Sequence, residues 1–167
     1  VAPTTSVKGG SEPRRRSLGR VGKLGGFLAF AENINDDSVL VMVYNHGTIA
    51  SFDEIYVGDR QVTLADDGQV ATPPIWHGGN GTNNVRSYMA IEPHRGYADQ
   101  AASPLVRGGF SQWTEYHKLN GCAYLAVHFS AVPQERFQDI YQGTLPDVTV
   151  VASTSLVFDP RNPAHDI

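Results

Sequence analysis

Six histidines and a single cysteine are the residues of this chain best suited to metal binding or acid–base work: His46, His77, His94, His117, His128, His165 and Cys122. No two histidines have the i, i+4 spacing that puts both imidazoles on one helical face, and there is no HExxH. Zinc demands several converging ligands, so these isolated residues predict surface and capping histidines. One cysteine excludes an intrachain disulfide and any multi-cysteine cluster. Cys122 opens an apolar run, which predicts a buried, inert thiol, because reactive cysteines sit in electropositive, partly exposed places. Glu115 and His117 flank Tyr116 and would share a face only on a strand; even then the pair lacks a nucleophile. Serine elbows of the GxSxG type are absent. The GKLGG at 22–26 lacks the order of a phosphate loop, and the GGNG at 78–81 lacks the strand and helix of a dinucleotide site. Asn80-Gly81-Thr82 matches a glycosylation sequon and reads as a polar loop. The residues alone therefore assign no catalytic, cofactor-binding or metal-binding role.

Charge is distributed more informatively than it is counted. Residues 1–23 hold six basic side chains against Glu12, a net +5, whereas the remainder holds seven basic against sixteen acidic, a net −9. A cationic arm on an anionic body argues against a nucleic-acid-binding body, since phosphate contacts require clustered positive charge. Arg14-Arg15-Arg16 is the sharpest feature. Three charges on an arm make a weak DNA site, so an acidic protein surface is the expected neighbour, such as another copy of the same body. Residues 1–12 contain no apolar stretch of the kind that opens a secretory leader. The longest apolar runs fall far short of the roughly 20 residues of a membrane helix.

The elements that must position these residues read as short strands joined by turns. Seventeen glycines and ten prolines punctuate runs rich in Val, Ile, Tyr and Phe. The fold class predicted is mainly β, with antiparallel strands and one or two short helices. Residues 1–13 are expected to be a flexible polar arm and 14–167 a single β-rich domain, at a length that suits one core. Residues 19–30 read as one glycine-interrupted, bulged strand approached closely by another backbone. Residues 33–37 form a turn, and Ser38–Tyr44 a strand covered on both faces. Asn45-His46-Gly47 reads as the next turn. Gly58-Asp59 joins two strands with the spacing of a type II′ hairpin, and a second turn falls at 66–68. Ile75 and Trp76 pin the 72–84 loop. A strand over 85–92 places Val85, Ser87, Met89 and Ile91 on one face. Residues 97–106 hold a short helix ended by Pro104 or by Gly108-Gly109. Trp113–Leu119 is ambiguous between helix and strand. Asn120-Gly121 is a turn, and Cys122–Phe129 a central strand. Pro133–Tyr141 makes a helical turn with Phe137 and Ile140 inward. Strands over 146–153 and 155–158 close the body.

Four segments in this order resemble the N-terminal part of tailed-bacteriophage tail tip or central hub proteins, the group of the host-specificity proteins of lambda-like siphophages. They are PRRRSLGRVGKLGGFLAF at 13–30, LVMVYNHGTIASFDEIYVGDRQV at 40–62, GYADQAASPL with SQWTEYHKLNGCAYLAVHF through 129, and GTLPDVTVVASTSLVFDPRNPAHDI at 143–167. The Trp-Thr pair, the Gly-x-Ala-Tyr strand and the DPR ending are the more specific parts. Ser153-Thr154-Ser155 stands where the family usually has glycine in the last hairpin, which puts the turn type in question. The resemblance implies a structural virion protein at the phage tail tip, made in the host cytoplasm. It implies a homotrimer, and a region of a longer chain. The expected partners are distal tail and tape-measure proteins on one side and tail fibre or receptor-binding proteins on the other. No membrane is implied, DNA enters only as cargo passing through the channel, and no cofactor follows.

Two other classes compete. A carbohydrate or receptor-binding β-module would expose Trp76, Trp113 or tyrosines as stacking platforms in a groove. A tail-associated cell-wall hydrolase would need a cleft with paired carboxylates or a histidine metal site.

Overall fold

The computed structural model describes residues 13–78 and 87–154. The first twelve residues of the expected arm, the sequon, the strand expected over 155–158, the DPR ending and His165 lie outside the described residues. Within them the chain is mainly β, as its composition predicts. It forms nine strands and two short helices: β1 (Arg20–Gly25), β2 (Phe27–Ile34), β3 (Asp37–His46), β4 (Ser51–Val57), β5 (Arg60–Leu64), β6 (Val70–Thr72), β7 (Met89–His94), α1 (Pro104–Gly109), β8 (Cys122–Phe129), α2 (Gln134–Tyr141) and β9 (Val148–Ser153).

The strands make two antiparallel sheets, ordered β1-β9-β4-β5-β6 and β2-β3-β8-β7. Alternation explains how the second sheet is covered on both sides. Leu40 and Tyr44 of β3, with Ala123, Leu125, Val127 and Phe129 of β8, face the first sheet, where they meet Ile55, Val57, Val62, Val148, Val150 and Ala152. Val39, Val41 and Val43, with Tyr124 and Ala126, face the other way onto Val106 of α1 and onto Phe110 and Trp113. The almost wholly apolar sequence of β3 is thus a consequence of two cores, one on each face.

The two sheets join at both sides. Gln69 bridges Ala90, and the Ile91 N–H donates to Gly68 O, which ties the β6 edge to β7. On the opposite side the chain runs from β1 into β2 across Gly26, so the strand read as one continuous element is two strands in different sheets. Gly26 is required there by a close approach. A Cβ would lie 2.8 Å from Tyr44 Cζ and 2.9 Å from Met42 Cβ. The close neighbour is a pair of side chains, not the backbone expected. The expected bulge is present within β1, between Val21 and Leu24.

Turn chemistry matches the sequence at most corners. Asn35 and Asp36 have φ of 51° and 67°, the positive pair of a type I′ hairpin. Gly58 alone has positive φ in its two-residue loop, as a type II′ turn requires. Other expectations need correction. Asn45 and His46 continue β3 instead of turning, because they pair with Ala123 and Cys122. Pro104 begins α1 instead of ending a helix, since a missing N–H costs nothing in the first turn, and Ser103 Oγ caps the helix by accepting from Val106 N–H. Residues 113–119 are irregular around a turn at 115–116, neither helix nor strand.

Candidate functional site

Each described histidine sits with its own neighbours. His46 Nδ1 lies 3.5 Å from Cys122 Sγ, His77 Nε2 3.2 Å from Val70 O, and His128 Nε2 3.0 Å from Asp37 Oδ2. Among the described residues, no group of three His, Cys, Asp or Glu side chains comes together to hold a metal ion. His117 Nδ1 accepts from the Thr114 N–H at 2.9 Å, and its ring stacks on Trp113 at 5.0 Å. Thr114 and Trp113 hold that imidazole, not Glu115, because the segment is a turn and not the strand the pairing would need.

Cys122 is half-buried, not fully buried as expected. Burial pushes its thiol above the ordinary range, and the charge of Arg14 opposes this in part. Arg14 and its neighbours are placed by the backbone. The His46 N–H donates to Arg15 O at 2.8 Å, and the Ser17 N–H donates to Asn45 Oδ1 at 2.7 Å. The arginine-rich segment therefore lies along the end of β3 with its side chains exposed.

A half-buried polar cluster on β7 is one that sequence reasoning missed. Glu92 and His94 share a face of β7, and Glu92 Oε1 is 2.6 Å from His94 Nε2. Glu92 Oε2 accepts from Ser103 Oγ at 3.1 Å and from the Leu105 N–H at 2.9 Å. Burial pushes the Glu92 carboxyl up, but the bonds from His94, the Leu105 N–H and Ser103 outweigh it, and the net shift is below the ordinary value. The His94 ring stacks on Tyr124 at 4.3 Å and 4°. The order of these groups decides their role. The carboxylate accepts from both imidazole and hydroxyl, and the fully buried Ser103 gives its proton to Glu92 while capping α1. A nucleophilic serine would need the imidazole beside it. Here the cluster clamps α1 to β7. The signal in the sequence was the EPH triplet, whose alternation puts both side chains on one face.

Trp76 and Trp113 are 4% and 8% exposed, so neither is the stacking platform that the carbohydrate reading expected. Among the described residues the exposed aromatics are Tyr97, with Arg95 over its ring at 4.9 Å, and Tyr116, which is 82% exposed.

A cleft of about 520 Å³ opens between the β2–β3 hairpin and α2. Its floor is apolar, from Phe129, Val132, Phe137, Tyr141 and Leu145, and its rim carries Asn33, Asn35, Asp36, Ser38 and Gln134. It joins segments about a hundred residues apart, and no local pattern announced it.

No family model matches the chain, and no curated protein matches it. Among solved structures the chain is similar to a chain in the virion of a native gene transfer agent (GTA) particle, at 13% identity and a TM-score of 0.47. The likeness covers 91% of this chain and 31% of that one, so this chain spans less than a third of that chain's length.

Proposed function

We propose that this chain is a structural component of a phage-like virion, and within it the N-terminal region of a tail tip or central hub protein. One observation carries the reading. The four segments that resemble hub proteins, in their family order, fall on successive parts of one interlocked body. Segment 13–30 covers β1 and the first half of β2, segment 40–62 runs from within β3 into β5, the third block holds the start of α1 and all of β8, and the described part of the fourth contains β9. The first and last segments pair with each other as β1 and β9.

In this reading three copies cap the distal end of the tail tube. They bind distal tail and tape-measure proteins on one side and fibre or receptor-binding proteins on the other. The chain works by fitting against polypeptides and makes or breaks no bond. β1 and β2 end their sheets, and an edge offers unpaired N–H and C=O groups to a neighbouring strand. The arginine-rich segment meets acidic side chains of an adjacent copy and fixes the three-fold arrangement. An acidic inner surface keeps DNA from adhering as it passes through the channel.

Gold-labelled antibody against the chain, imaged on intact tails, tests the placement. Label at the tail tip is the expected result. Label along the shaft or on the capsid overturns it.

A further inference from the structure

The cleft between the β2–β3 hairpin and α2 has the chemistry of a small-ligand site. Its volume of about 520 Å³ lies within the range of roughly 300–1,000 Å³ typical of such sites. The lining contains no Lys, Arg or His among the described residues, so no charged side chain there attracts an anion. Its one ionisable rim group is Asp36. The remaining rim groups are amides and hydroxyls, each able to donate and accept.

Three of these rim groups are free to bind. Asn35, Asp36 and Gln134 make no side-chain hydrogen bond to any described residue. Ser38 Oγ donates to Asn33 Oδ1 at 2.6 Å, which leaves the Asn33 amide nitrogen to donate outward. The type I′ turn fixes Asn35 and Asp36 at the tip of a tight hairpin. The floor is different in kind. The Tyr141 hydroxyl is committed to Tyr88 O and Ser130 O, at 3.1 and 2.9 Å, and the residue is buried, so it supports the floor from beneath. The half-buried Phe137 ring meets it in a T-shaped pair at 5.5 Å and is the ring the floor exposes.

We infer that this cleft binds a neutral saccharide of one or two pyranose rings. A sugar presents hydroxyls that donate and accept at its rim and an apolar C–H face. Amide, hydroxyl and carboxylate groups match the hydroxyls, and the negative face of an aromatic ring matches the C–H hydrogens. A purely apolar ligand would leave the rim groups without partners, and an anionic one would meet Asp36 with no cation to offset it. This inference does not depend on the tail tip reading, and either can fail alone.

Amide NMR of the whole chain tests it, with glucose, galactose, mannose, N-acetylglucosamine and their common disaccharides titrated into the tens of millimolar. Glucuronic acid and N-acetylneuraminic acid serve as charged controls. At least one neutral sugar should give saturable shifts confined to Asn33, Asn35, Asp36, Ala131, Gln134 and Phe137. The charged sugars should bind more weakly. Gln134→Ala and Asp36→Asn, both on exposed positions, should each weaken binding about fivefold or more without changing the melting temperature. Phe137→Leu keeps an apolar floor but removes the ring face and should also weaken it. The inference is overturned if no neutral sugar gives saturable shifts, if the shifts fall elsewhere, or if a charged sugar binds as well as a neutral one. A cleft filled in solution by another part of this chain would give the first of these results.

Discussion

Glu92 and Tyr124 show how single side chains hold the helical layer onto the sheet, and they should respond to substitution in opposite ways. Glu92 joins β7, Ser103 and the first turn of α1, and its carboxyl is held below its ordinary value. A lowered carboxylate value means that the folded state favours the ionised form. Its contribution is complete above the ordinary range near about 4.3 and disappears as pH falls through the folded value. Glu92→Gln should lose about 1–2 kcal/mol at pH 7, discounted from a fully buried charge because the carboxylate keeps some water. Urea unfolding at pH 7 and at pH 3 should show the variant's deficit shrinking in acid. An equal deficit at both would mean that shape, and not charge, explains the clamp. The Tyr124 hydroxyl is buried beside the Ser103 backbone without a hydrogen bond of full geometry. Tyr124→Phe should therefore be neutral or stabilising by up to about 1 kcal/mol. A clear fall in melting temperature would contradict this assignment.

Among the elements, the corner between β1 and β2 decides how the sheets join. Gly26→Ala drives a methyl into Tyr44 and Met42, and such overpacking costs about 1–3 kcal/mol. Gly58 meets no atom within 4 Å, and only its φ of 58° resists a side chain. Asparagine tolerates that region, so Gly58→Asn should cost less than Gly58→Ala, whereas Gly26→Asn should be at least as damaging as Gly26→Ala. Thermal melts of the four variants decide between crowding and backbone strain. The same corner marks where sequence reading stops. The hairpins, β3, β8, α2 and β9 were legible because turn residues and alternation are local signals. The division of residues 20–34 between two sheets was not, because what crowds the corner at Gly26 is Tyr44 and Met42, on a strand sixteen to eighteen residues away. Pro104 was misjudged because its meaning depends on whether Ser103 caps a helix, which rests on Glu92 across the layer. The cleft was invisible for the same reason. Asn33 and Gln134 become neighbours only after the second sheet has formed.

For the whole molecule, the opposed charges of the first segment and the body matter most. The backbone of residues 15–17 is fastened to the end of β3 while the arginines stay exposed. They are thus held at a fixed place, which a free tail would not achieve. Replacing Arg14 and Arg16 together by glutamate should leave the melting temperature of the body nearly unchanged, since exposed charges are worth little to folding. It should reduce incorporation into particles and remove the salt sensitivity of assembly. Unchanged incorporation would show that the segment is only a solvated face.

The central claim is that this chain acts by fitting against other polypeptides at the tail tip. Lysine-directed crosslinking of intact virions, read by mass spectrometry, tests it most directly, because Lys23 and Lys118 lie in the described body and the only other lysine is Lys8. The expected result is crosslinks from these lysines to a second copy and to a distal tail protein. Recovery of the chain outside the particle, or crosslinks confined to a single copy, would contradict the account.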